Sequence, residues 1–179
     1  LREAGIELPM YFDQGMYSWN HLAGAAMERY GADRLTIPVE LNEREIRDSG
    51  VQGEMIVYGY LPMMISAQCI RKTTLGCSGK PEIMWLKDRK DMRFPVVNQC
   101  RFCYNTIYNS APLSLLGLSE QVTGLKPNAV RLNFTVEEPA AAGEILDAVF
   151  EEYGMSEKAG EPPVLRNQFT RGHFKRGVE

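Results

Sequence analysis

Short apolar runs separated by helical stretches organise the first sixty residues of the chain. Leu8 to Phe12 reads as a short buried strand, and Ser18 to Tyr30 as a helix with Leu22, Ala25, Ala26 and Tyr30 as its apolar or small positions, closed by Gly31. Arg34 to Val39 is a second strand. Asn42 caps a short helix of alternating charge, Glu43 to Asp48, which Gly50 stops, and Glu54 to Tyr58 is a third strand. Strand, helix, strand, helix, strand at short spacing is the order of βαβ units and a parallel sheet, and the repeat length suits a (β/α) barrel. The pattern predicts an α/β fold with barrel βα units over residues 1–60.

Helical periodicity then stops. Between Gly59 and Leu113 the pattern predicts a β-hairpin, Ile83 to Lys87 and Met92 to Val97, joined by the charged turn Asp88 to Asp91. Residues 61–111 form an inserted β-rich module that holds every cysteine. Over 112–155 a barrel-like helix, strand and helix resume: Pro112 to Gln121, Ala129 to Thr135, and Pro139 to Tyr153 with Ile145, Leu146, Ala148, Val149 and Phe150 on its apolar face. Residues 156–179 read as a basic tail. There is no internal repeat and no low-complexity segment.

Composition places the chain among ordinary globular proteins, at 179 residues, 44% hydrophobic and 24% charged. No apolar run approaches the roughly 20 residues that span a bilayer, and the first residues do not form a signal peptide, so the expected location is cytoplasmic with no membrane partner. The absence of an initiating Met leads to the expectation of a piece of a larger protein. Net charge is only -3, but its distribution is uneven. Ser66 to Ile107 carries eight basic residues against three acidic ones, and Leu165 to Gly177 adds Arg166, Arg171, Lys175 and Arg176 with no acid. Interleaved with Trp85, Phe94, Phe102, Phe169 and Phe174, these segments could contact phosphates and stack bases of an RNA; the alternative is a solvated hairpin turn and a charged terminus.

Chemistry concentrates in sulfur. Cys69, Cys77, Cys100 and Cys103 are the four cysteines, and the last two make a C-x-x-C knuckle. In a reducing compartment, clustered thiols are more often ligands than disulfides, with buried packing as the other reading. A four-cysteine zinc ribbon usually has two such knuckles, so the irregular spacing favours an iron-sulfur cluster over zinc.

Other candidates are weaker. Glu40 follows the second strand, where barrel enzymes present catalytic groups, though it could instead cap the next helix. His173, close to Arg171 and Arg176, suits an anionic substrate or is a surface residue. Asn20 and His21 begin a helix whose N-terminus could hold an anion, unless Asn20 only caps it. Glu54 reads as structural, and the methionines, Met63 and Met64 among them, as core filler.

Four ordered blocks resemble the collagenase-like peptidase family U32: Leu35-Thr36-Ile37-Pro38-Val39-Glu40-Leu41-Asn42, the run from Glu54 through Tyr58-Gly59-Tyr60-Leu61 to Gln68-Cys69, Tyr108-Asn109-Ser110, and Thr170-Arg171-Gly172-His173-Phe174. Pro62 stands where many members have a cysteine and Ala67 where they have glycine, so the ligands are the four cysteines present. The resemblance covers the C-terminal half of the family's barrel-plus-cysteine region. It implies a TIM-like barrel part, with either collagen-degrading protease activity or a 4Fe-4S cluster that supports hydroxylation of RNA bases (in tRNA or rRNA) or of a quinone precursor. The expectation is cluster-dependent hydroxylation of an RNA base, with Glu40 and His173 catalytic and Asn20, Arg171 and Arg176 binding substrate. A collagenase-like protease and an RNA-binding module with a structural zinc are the alternatives. Two histidines and no H-E-x-x-H or G-x-S-x-G motif leave peptidase chemistry without a recognisable centre. A half barrel exposes strand edges, so a second copy or the missing N-terminal half is expected to cover them.

Overall fold

The computed structural model describes residues 2–155 and 168–178, which form a mixed α/β structure. Its strands are β1 (Tyr11–Phe12), β2 (Arg34–Leu35), β3 (Glu54–Gly59), β4 (Pro62–Ser66), β5 (Ile83–Lys87), β6 (Arg93–Gln99), β7 (Tyr104–Tyr108), β8 (Leu113–Ser114) and β9 (Ala129–Asn133). Its helices are α1 (His21–Arg29), α2 (Glu43–Ser49), α3 (Ile70–Leu75), α4 (Ser119–Gly124) and α5 (Pro139–Glu152). No closed barrel forms among the described residues, and no helix there is long and apolar enough to cross a membrane.

Four strands run side by side in one direction. β1 pairs with β2, the bridge from Thr36 to Glu54 joins β2 to β3, and β3 pairs with β9, all parallel. A polar network stitches them together: Arg131 on β9 donates to Glu54 on β3 and to Asp13 beyond β1, each at 2.9 Å, while the Thr36 hydroxyl donates to Glu54 at 2.8 Å. Ion pairs to an arginine that is itself two-thirds buried are screened less than surface pairs, so this network resists separation of the strands. β3 is nearly continuous apolar sequence because both faces are covered, and Met55, Ile56 and Val57 join Ile37, Leu113, Leu115 and Val122 in the core.

A separate sheet is antiparallel, in the order β4-β7-β6-β5. The β5–β6 hairpin has the expected turn, with Asp88 accepting from the amides of Lys90 and Met92 at 2.7 and 2.9 Å. β7 and then β4 extend the sheet from the β6 side without having been predicted, and α3 interrupts a region that shows no helical period.

Several expectations need correction. The first two strands are shorter than Leu8 to Phe12 and Arg34 to Val39, since Pro9 and Pro38 each remove a ladder donor. Residues 112–118 are not helical: Leu113–Ser114 pairs with the end of β3, and Gly117, at φ 82°, turns the chain before α4 begins at Ser119. On α1, Leu22 and Tyr30 are exposed, and the packed position is Gly24, where an added Cβ would lie 3.4 Å from Val51. Leu146 and Phe150 are at the margin of the α5 face, and Met63 and Met64 are exposed on β4 instead of filling the core. Phe174 lies in the core at 4% exposure, so the segment expected as a tail docks here over 168–178; residues 156–167 lie outside the described residues.

Candidate functional site

The C-x-x-C knuckle is the loop of the β6–β7 hairpin. Gln99 pairs with Tyr104, and the Phe102 amide donates to the Gln99 carbonyl at 2.9 Å, so Cys100 and Cys103 stand at the two corners of a tight turn. Cys103 takes a left-handed φ of 54°, which aims its side chain back across the turn. Cys69 is the N-cap of α3, its sulfur accepting from the Lys72 amide at 3.4 Å, and Cys77 follows the Gly76 bend that ends this helix. The sequence folds this way because Cys69 substitutes for the usual hydroxyl cap and glycine supplies the φ of 84° at residue 76.

All four cysteines are free thiols lining one cavity of about 400 Å³, together with Lys72 and Asn98. Burial pushes the Cys100 thiol up, and the neighbouring sulfurs of Cys77 and Cys69 push it further, against a lowering hydrogen bond from Ser78. Thiols that oppose one another's ionisation are what a bound cation relieves. A single tetrahedral zinc requires sulfurs about 3.8 Å apart. Among the described residues no three His, Cys, Asp or Glu side chains converge closely enough to hold one ion. The chemistry of the donor set, four free thiols lining one cavity, is that of a thiolate-ligated metal group. Asn98, at 1% exposure, adds an unpaired donor: its Oδ1 accepts from the Glu82 amide at 2.6 Å, while its buried Nδ2 has no hydrogen-bond partner.

Three further buried polar atoms follow parallel strands in the chain. Gln14 after β1, Glu40 after β2 and Glu137 after β9 each hold one buried side-chain oxygen without a partner. Near Glu137, the Tyr58, Tyr60 and Tyr108 phenols are all raised, by burial first and with the Glu137 carboxylate contributing to each, and Tyr58 also hydrogen-bonds that carboxylate.

The remaining sequence candidates are held by the fold. Asn20 caps α1, accepting from the Ala23 amide at 3.0 Å. Arg171 donates through Nη1 to the carbonyls of Ser114 and Leu116 at 2.8 and 2.6 Å, with Phe169 against its guanidinium at 4.7 Å. His173 Nδ1 lies 2.8 Å from the Gly177 carbonyl in an exposed turn, and Arg176 is exposed on the same turn. Phe174, buried, is withdrawn from base stacking, whereas Trp85 and Phe102 are open. Asn98, Glu137 and the tyrosines went unnoticed in the sequence because an unpaired buried atom has no sequence signature; only the position of Tyr58 and Tyr60 at the end of an apolar strand pointed toward them.

Comparison of the chain with protein-family models, with curated proteins and with solved structures finds no match in any of the three.

Proposed function

We propose that the chain is a protein of the U32 type whose four cysteines hold a 4Fe-4S cluster and which acts in the hydroxylation of an RNA base. The observation that carries this reading is the cavity of about 400 Å³ lined by Cys69, Cys77, Cys100 and Cys103, all free. Its finer fold, part of a (β/α) TIM-like barrel with an inserted cysteine module, is supported by the parallel run β1-β2-β3-β9 and by a second sheet that begins two residues after β3.

Hydroxylation replaces a C–H bond of the base by C–OH; the base loses two electrons and an external oxygen donor gains them. When bound, a cluster would relay these electrons one at a time between the base and the oxygen donor. The residues of the chain have separate tasks. The cysteine thiolates would hold the iron, and Asn98, which lines the same cavity and whose Nδ2 has no partner, would donate a hydrogen bond to a group bound there. Glu40, with its buried unpaired Oε2 at a strand end, is suited to accept the proton released from the substrate. The basic surface of the cysteine module, with Trp85 and Phe102 exposed, suits contact with RNA phosphates and bases.

The peptidase alternative has less support: among the described residues no hydrogen bond joins a histidine to a Ser, Thr or Cys side chain, as an activated nucleophile requires. The structural-zinc alternative uses the same four free thiols and differs in the metal they hold. Anaerobic purification separates the readings. Brown protein with about four irons and matching sulfide supports the cluster, colourless protein with one zinc supports the structural ion, and gelatin cleavage that survives replacement of all four cysteines by Ser supports the protease.

A further inference from the structure

We propose that Trp85 is the stacking platform for a single strand of RNA that lies along β5, with Lys80 and Arg93 contacting phosphates on either side of it. This rests on the reading of the chain as acting on an RNA base, and it assigns the surface that leads the strand to the cysteine cavity.

β5 is an outer strand of the antiparallel sheet, and it runs away from the cysteines. Just before it, the Lys80 carbonyl accepts from Cys100 Sγ at 2.9 Å and the Glu82 amide donates to Asn98 Oδ1, so this end of the strand is tied to the cavity. Trp85 stands about 10 Å along the extended chain from Glu82. Further out, Lys87 lies opposite Arg93. Alternate residues of a strand share a face, as do directly paired ones, so Trp85, Lys87 and Arg93 project from the same side of the sheet.

The indole is open. Trp85 is 53% exposed, and among the described residues no other ring or cation packs against it. Phe102, also exposed, already has the Arg101 guanidinium over its ring and Tyr104 stacked beside it. The charges are available as well. Of the eight basic residues between Ser66 and Ile107, Arg71 pairs with Glu82 and Lys87 with Asp91, while the rest, Lys80 and Arg93 among them, have no carboxylate partner among the described residues. Unpaired cations call for an anion, and an exposed indole calls for a flat apolar face. An acidic peptide meets only the first demand and an apolar protein surface only the second, whereas a nucleic acid carries a phosphate and a base in every unit. In a duplex each base is covered above and below by its neighbours, so only a single strand offers Trp85 a free base face.

The test measures binding of the full chain to a labelled single-stranded oligouridylate and to an RNA duplex of equal length. The single strand is expected to bind more tightly than the duplex. Trp85→Ala is expected to weaken single-strand binding about fivefold or more, and Trp85→Phe to retain most of it. Arg93→Ala is expected to lower the slope of log affinity against log salt by about 0.7. A second readout needs no change at the platform: the chain has two tryptophans, so Trp19→Phe leaves Trp85 as the sole indole, and its fluorescence should be quenched saturably by the oligonucleotide. The inference is overturned if the single strand does not bind, if the duplex binds as tightly, if Trp85→Ala binds as before, or if the Trp85 fluorescence ignores bound RNA. Iron content is measured on the same samples. An iron-loaded chain that binds RNA independently of Trp85 sinks this inference alone; an iron-free chain that binds a single strand through Trp85 sinks the cluster and leaves the inference standing.

Discussion

Asn98 and Asn105 face each other across β6 and β7, both fully buried, and each leaves one amide atom without a partner: Nδ2 of Asn98 and Oδ1 of Asn105. The other atoms are engaged. Asn98 Oδ1 accepts from the Glu82 amide, and Asn105 Nδ2 donates to the Gln68 carbonyl at 2.7 Å, one residue before Cys69. This pair therefore ties both arms of the cysteine cavity to one sheet, and it puts a spare donor in the cavity wall.

Two substitutions at Asn98 separate these roles. Asn98→Ala strands the Glu82 amide and is expected to cost about 1–3 kcal/mol in chemical denaturation. Asn98→Asp keeps the acceptor and loses the donor, so it is expected to retain the fold while lowering iron retention or shifting the reduction potential of the anaerobically loaded protein. If Asn98→Asp leaves both iron content and potential unaltered, Asn98 has no role toward the bound group.

Arg171 is predicted to matter for folding. Its guanidinium bonds two backbone carbonyls and carries the segment that inserts Phe174 into the core. Arg171→Ala is expected to destabilise by about 1.5–3 kcal/mol, and Phe174→Ala by about 3–5 kcal/mol. RNA affinity measured well below the unfolding transition should be unchanged in Arg171→Ala. A stable Arg171→Ala protein with weakened RNA binding would restore the substrate-binding role read from the sequence.

At high pH Tyr153 sets a limit. Burial, and then the Glu152 charge, pushes its phenol from the ordinary 10 up to about 12, and its hydroxyl is buried without a partner. The folded state keeps this proton where the unfolded chain has lost it. The contribution is therefore complete below pH 10 and is lost as pH rises toward 12. Denaturation midpoints across that range should fall less steeply for Tyr153→Phe than for the native chain. At neutral pH this variant should be equal or slightly more stable, since it removes an unsatisfied hydroxyl.

The parts of the fold legible in the sequence are those whose pattern is local. The capping box of Asn42 and Glu45 marks α2, the apolar runs mark β3 and β9, and Asp88 marks the hairpin turn. β4 escaped because Met63, Met64 and Ile65 do not alternate with polar residues: the strand is exposed on both faces. β8 escaped because two residues paired across a sheet carry no periodicity. Phe174 looked like one aromatic among charges, and only the path of the chain from Thr170, paired with Leu113, leads it into the core. For the site, clustered thiols were visible as a composition bias, whereas the unpaired donor of Asn98 depends on the pairing of β6 with β7, a non-local relationship.

The most direct test of the central claim is the metal and sulfide content of anaerobically purified protein, with each cysteine replaced by Ser in turn. The account predicts about four irons and four sulfides per chain, with visible charge-transfer absorbance, and loss of most of that iron in each of Cys69→Ser, Cys77→Ser, Cys100→Ser and Cys103→Ser. One zinc per chain, no metal, or full iron content after loss of any of the four thiols would contradict it.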